Sequence, residues 1–186
     1  LLREAAVALT FGKSSTAEQV TEGIDLSGTL ALVTGVNSGI GFETMRVLAL
    51  RGAHVIGTGR TLEKAREACA SVAGKTTPVA LELERFETVA AAADQVRDLG
   101  LPIDMLVCNA GITADAVVWK MDEEQWDRVL DVNLKGCFNY CRAAATLFRA
   151  QKGGKILNIT SINGMRGKFG QSNYAAAKAG VTGLTK

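Results

Sequence analysis

The chain has 186 residues, 47% hydrophobic and 22% charged, which suits a globular chain with one sizeable core and excludes a disordered or low-complexity polymer. Against 21 Lys and Arg stand 19 Asp and Glu, a net charge of +2, so there is no basic surplus for nucleic acid and no acidic tail. No apolar run reaches the ~18–20 residues of a membrane span, and no secretory h-region is present, so a cytoplasmic protein without membrane contact is expected. The first residue is Leu1 rather than Met, so a start further upstream is expected.

Residues 1–28 read as a polar N-terminal extension, in which Ser15-Thr16-Ala17-Glu18 fits a capping box opening a short helix that breaks at Gly23. From residue 29 onward the pattern is that of one domain. Short apolar runs rich in Val, Ile and Leu recur at Leu30–Val33, Gly52–Thr58, Pro78–Leu83, Ile103–Cys108 and Lys155–Ile159. Runs of this kind fit parallel strands covered on both faces. Between them, segments 40–51, 61–73, 86–99 and 122–150 carry apolar residues at helical spacing, as in Val89, Ala92, Ala93 and Val96, and 173–186 reads as a last helix. Strand alternating with helix predicts an α/β fold: a Rossmann-type, doubly wound parallel sheet in three αβα layers, with strand order 3-2-1-4-5.

The first strand runs into Thr34-Gly35-Val36-Asn37-Ser38-Gly39-Ile40-Gly41. At such a junction Gly35 permits the tight turn, Gly39 lets backbone approach a pyrophosphate and Gly41 lets the helix pack on the strand. The helix N-terminus adds free N–H groups and a positive dipole end. Gly35, Asn37, Ser38, Gly39, Ile40 and Gly41 are therefore the candidate cofactor cradle. At the end of the second strand, where an NAD site usually carries an acid, stand Gly59 and Arg60. A guanidinium can hold a 2′-phosphate in bidentate fashion, which favours NADP(H) over NAD(H). The competing reading of Arg60 is a solvated surface arginine.

Tyr174 and Lys178, four residues apart, share one helix face. An ammonium near a phenol favours the phenolate, which makes Tyr174 a candidate general acid or base. Ser161, at the carboxyl edge of the sheet, could hold a substrate oxygen beside it. Phe169 and Gln171 are candidates for contacting an acyl thioester, with loop packing as the alternative, and Trp126 is expected to pack on its helix. Asp122, Glu123 and Glu124 read as acids complementing a helix dipole. The cysteines Cys69, Cys108, Cys137 and Cys141 form no C-x-x-C pair, and His54 is the only histidine. Reduced, mostly buried thiols and no metal site are expected.

These residues resemble the short-chain dehydrogenase/reductases. The resemblance covers about Ser27 to Lys186 and rests on the glycine turn, Asn109-Ala110-Gly111, Asn133 in Asp131-Val-Asn-Leu, Ser161 and Tyr174-x-x-x-Lys178. It implies that Ser161 orients a carbonyl, Tyr174 exchanges the proton and Lys178 binds the nicotinamide ribose. Asn133 would hold a water in a proton relay. Asn109, Ala110 and Gly111 would line the cofactor, and Glu82 would take the place of the family's adenine-contacting Asp. The stretches Gly111-Ile-Thr-Ala-Asp115, Lys120-Met121, Trp126-Asp127 and Ser161 to Tyr174 look like the 3-oxoacyl-thioester reductases. That branch implies NADPH, an acyl-coenzyme A or acyl-carrier-protein substrate, and a homotetramer. Residues 12–28 and Leu81-Glu-Leu83 look more like the retinol-dehydrogenase side. The resemblance also implies two further strands, a substrate-covering loop and more helices beyond Lys186. Three functions stay open at this point: a 3-oxoacyl reductase, a dehydrogenase for a steroid, retinoid or sugar, and a nucleotide-binding module without catalysis.

Overall fold

The computed structural model describes residues 11–83 and 86–186. Residues 1–10 of the expected N-terminal extension lie outside that range, as do Glu84 and Arg85. Five parallel strands form one sheet: β1 (Leu30–Thr34), β2 (His54–Gly59), β3 (Thr76–Ala80), β4 (Met105–Cys108) and β5 (Lys155–Asn158), in the order β3-β2-β1-β4-β5. The register runs Leu30 to His54 and Thr34 to Thr58 between β1 and β2, and Ala31 to Met105 between β1 and β4. This is the predicted strand order.

Helices cover both faces of the central strands β1, β2 and β4, which are apolar for that reason, whereas Leu157 on β5 is 57% exposed. One core joins Leu30, Ile56 and Leu106 to helices α4 (Phe86–Asp98) and α6 (Gly136–Gln151). The other joins Val33, Val55 and Val107 to helices α2 (Gly39–Leu50) and α3 (Leu62–Ala70). Val33, Val55 and Ile56 are fully buried, each worth about 1.5–3 kcal/mol over leaving it in water. The remaining helices are α1 (Ala17–Val20), α5 (Glu123–Leu130), α7 (Asn163–Arg166) and α8 (Ser172–Thr185). Among the described residues, no helix is long and apolar enough to cross a membrane.

Three details depart from the sequence reading, each for a local reason. The capping box of α1 sits one residue later than expected: Thr16 is the cap and Gln19 returns its side chain to the Thr16 N–H at 2.8 Å. Ser15 instead accepts from the Gly12 N–H, and a glutamine amide closes the box as well as a glutamate would. Strand β3 begins before Pro78 rather than at it. It is the edge strand, so the N–H that Pro78 lacks costs no ladder bond. The single helix expected over 122–150 is interrupted by a π-helical stretch, Asp131–Lys135. There the Asn133 side chain donates to the Val129 carbonyl at 2.9 Å and displaces the regular ladder. The acids at the start of α5 behave as read: Asp122 caps it, with Glu123 and Glu124 in the first turn.

Candidate active site

Parallel strands all present their carboxyl ends to one edge, and a cavity of about 370 Å³ opens there. Its walls include Gly35, Asn37, Ser38, Arg60, Glu82, Asn109, Ala110 and Gly111, gathered from the loops after β1, β2, β3 and β4. Eight of the residues expected at a cofactor are thus brought to one space.

Thr34 ties the first and fourth strands together at this edge. Its hydroxyl accepts from the N–H groups of Asn109 and Ala110, both at 3.0 Å, and its carbonyl accepts from the Asn109 side chain at 3.0 Å. The glycines are demanded by this closeness. Gly35 has φ +72°, and a Cβ on it would come within 2.9 Å of the Ala110 Cα. A Cβ on Gly41 would strike the Gly35 carbonyl and the Asn109 amide. Gly39 is different: it has φ +59° and only open space where a Cβ would stand.

Two observations make this edge fit a dinucleotide phosphate. The N-terminus of α2 is capped by no side chain and has no acid in its first turn, so its N–H groups and dipole are free for an anion. Arg60 is exposed on the cavity wall, and Lys64, one turn into α3, stands with it. The sequence reading missed Lys64: Arg60 lies before the Thr61 cap of α3 and Lys64 within its first turn, so no helical spacing links them.

The catalytic candidates gather around α8. Lys178 is 4% exposed, and its ammonium donates to the Ile159 carbonyl at 2.7 Å. Burial holds its pKa below the ordinary lysine value. The ammonium lies 5.8 Å from the centre of the Tyr174 ring. It also lies 3.7 Å from where a Cβ on Gly111 would stand, so the lysine comes close to one residue of the cavity wall. Ser161 lies in the loop beyond β5, and its hydroxyl accepts from the Asn163 N–H at 3.2 Å. Helix α7 carries that loop onto α8, with Gly164 pressed against the backbone of Lys178 and Ala179.

Several polar side chains bond to the frame around the cleft. Asn133 is 2% exposed; its Oδ1 accepts from the Ile112 N–H at 3.1 Å and its Nδ2 donates to the Ile112 carbonyl at 2.8 Å. It fixes the loop that follows Gly111. Gln171 is 6% exposed and links Asn163, which donates to it at 3.0 Å, to Asp115, which accepts from it at 2.8 Å. Of the two readings of Gln171, this favours loop packing: each end of its amide bonds a neighbouring side chain. Asn173, fully buried, donates to the carbonyls of Ala114 and Gln125. Sequence inspection had no signal for Asn173, since its partners lie 59 and 48 residues away. By contrast Phe169 is 81% exposed and meets Trp119 edge-on at 6.5 Å between ring centres. Trp126, expected to pack on its helix, is 37% exposed.

Against known proteins, the family model of short chain dehydrogenases matches residues 29–186. A 3-oxoacyl-acyl-carrier-protein reductase FabG of Thermotoga maritima is 40% identical over 164 residues, 87% of this chain and 67% of that protein. An acetoacetyl-CoA reductase of an Acinetobacter species is 41% identical over 162 residues, 84% of this chain and 65% of that one. A crystal structure from Sinorhizobium meliloti 1021, described as a short-chain alcohol dehydrogenase, superposes with a TM-score of 0.81 at 35% identity. It is matched over 87% of this chain and 65% of its own. The chain thus spans about two thirds of the length of these relatives.

Proposed function

The chain belongs to the short-chain dehydrogenase family, a family of oxidoreductases, and we propose that it reduces the ketone of a 3-oxoacyl thioester to an alcohol with NADPH. The observation that carries this reading is the buried Lys178 ammonium, 5.8 Å from the Tyr174 ring centre and next to Gly111 of the cleft wall. A nicotinamide cofactor, when bound, supplies the hydride for such a reduction.

In this reading residues 29–186 form the catalytic domain. The α2 N-terminus, Gly39 and the backbone at Ser38 hold the pyrophosphate, and Arg60 with Lys64 holds the 2′-phosphate. Glu82, Asn109, Ala110 and Gly111 line the adenine-side wall. Lys178 has three donors, one of them given to Ile159, and turns the others to a ribose. Ser161 donates to the ketone oxygen. Tyr174 gives its proton to that oxygen as the carbon becomes tetrahedral, and the charge left on the phenol faces the lysine. Asn133 acts through the backbone it pins, and a relay water would use acceptor capacity its side chain has left. The full protein is a cytoplasmic homo-oligomer in this account, and its thioester is carried on coenzyme A or an acyl carrier protein.

That relatives about 40% identical are 3-oxoacyl-acyl-carrier-protein and acetoacetyl-CoA reductases supports the thioester over the other substrate classes. A substrate panel with NADPH tests it: acetoacetyl-coenzyme A, a retinal, a steroid ketone and a sugar ketone. The reading requires the thioester to have the highest kcat/KM. Turnover of steroid or sugar with none of the thioester would replace it with the dehydrogenase reading. Tight NADPH binding with no carbonyl turned over would replace it with a binding module.

A further inference from the structure

We propose that Cys108, Cys137 and Cys141 form a binding site for one soft, thiophilic divalent cation of the zinc and cadmium kind. Their three sulfur atoms lie within 4.8 Å of one another. They come from separate places: Cys108 ends β4, while Cys137 and Cys141 are successive turns of α6 facing it. In a tetrahedral site with metal–sulfur bonds near 2.3 Å, sulfurs stand roughly 3.8 Å apart, so the cluster needs to close by at most ~1 Å.

A fourth vertex is already aimed at the group. The Asn158 Oδ1, at the end of β5, accepts from Cys137 at 3.2 Å and from Cys141 at 3.5 Å. Its amide end is held by the Thr185 hydroxyl at 3.0 Å, which fixes which way the oxygen points. Three thiolates and one oxygen are the donor set that selects zinc-like ions over magnesium or calcium. All four cysteines of the chain are free thiols, so no disulfide competes. Cys108 and Cys137 are buried, and Cys141 is half-buried and opens the way in.

Binding exchanges three thiol protons for one divalent ion, and the protons pass to solvent. The product carries one net negative charge. No residue assigned to the reduction is a ligand, so the proposal stands or falls apart from the reductase reading.

The test is titration of the reduced chain with Cd2+, followed in the ultraviolet by thiolate-to-metal charge transfer. One ion per chain is expected, displaced by Zn2+, and X-ray absorption of the cadmium-loaded chain should count three sulfur neighbours. Cys141→Ser should remove about one third of the charge-transfer band, one thiolate in three, and Asn158→Ala should weaken binding roughly tenfold or more. Cys69→Ser, on α3, should change nothing. Absence of the band, fewer than three sulfur neighbours, or a Cys69→Ser loss equal to that of Cys141→Ser would overturn the proposal. Should the Cys141→Ser chain fail to fold, the sulfur count on the unaltered chain decides.

Discussion

Lys178 and Tyr174 stand one turn apart on α8, with the ammonium nitrogen 5.8 Å from the centre of the phenol ring. Burying that ammonium costs free energy, and the pKa of Lys178 is lowered by desolvation as a result. A single backbone carbonyl at 2.7 Å is a poor return for a buried charge, which points to a ligand as its second partner. Lys178→Met should therefore raise the KM for NADPH and lower kcat, together by about 10- to 100-fold in kcat/KM. That range matches the ~1.5–3 kcal/mol of a charge-assisted hydrogen bond. Initial-rate kinetics check this, and an unchanged kcat/KM would count against it.

Arg60 and Lys64 share one wall of the cleft. If they hold the 2′-phosphate, Arg60→Ala should raise the KM for NADPH by about 10- to 100-fold and leave that for NADH nearly unaltered. Lys64→Ala should act in the same direction and less strongly, because a lysine is a point charge without the bidentate fork. Equal losses with both cofactors would mean that the two cations serve only the fold.

The glycine turn makes a contrast in stability measurable by urea denaturation. Gly35→Ala meets both a positive φ and the Ala110 backbone, so it should destabilise the chain by more than the ~1–2 kcal/mol of left-handed strain alone. Gly183→Ala, in α8 with nothing within 4 Å of the new Cβ, should stabilise by roughly 0.5–1 kcal/mol. If the two shift the midpoint alike, the close packing of β1 against the Asn109–Ala110 turn is wrong.

His54 gives a pH effect whose sign can be worked out. Its Nε2 bonds the Thr77 hydroxyl at 2.8 Å, and its pKa is lowered from 6.5, first by burial and then by Lys75. The folded chain therefore binds a proton less readily than the unfolded one. Stability from this group is present above the ordinary histidine value and is lost as pH falls through 6.5 toward the lowered value. Thermal midpoints of wild type and His54→Gln should diverge across that window, the wild type falling more steeply on acidification. Parallel curves would contradict the assignment.

Much of this was legible in the residues and some was not, for identifiable reasons. Continuous Val, Ile and Leu runs announced buried strands, so the parallel sheet followed from pattern, and the order β3-β2-β1-β4-β5 is the one expected. The glycine turn and Tyr174-x-x-x-Lys178 were legible because their chemistry sits at fixed local spacing. What escaped was set by side chains meeting over long separations. Asn133 sits in the π-helical stretch and bonds a carbonyl four residues back, yet its other partner is Ile112, 21 residues away. Gln171 stood between ligand contact and loop packing, and only the positions of Asn163 and Asp115 show that its amide ties the loops together. The thiol cluster joins residue 108 to residues 137 and 141, which no local motif could bring together.

The most direct test of the proposed reaction is product formation from acetoacetyl-coenzyme A and NADPH by the wild-type protein and by Tyr174→Phe. The phenylalanine keeps the ring and removes the proton donor. NADPH binding should survive the change, while formation of the 3-hydroxy thioester falls by about 10²- to 10⁴-fold, the worth of a positioned acid. Equal rates of product from the two proteins would contradict the account.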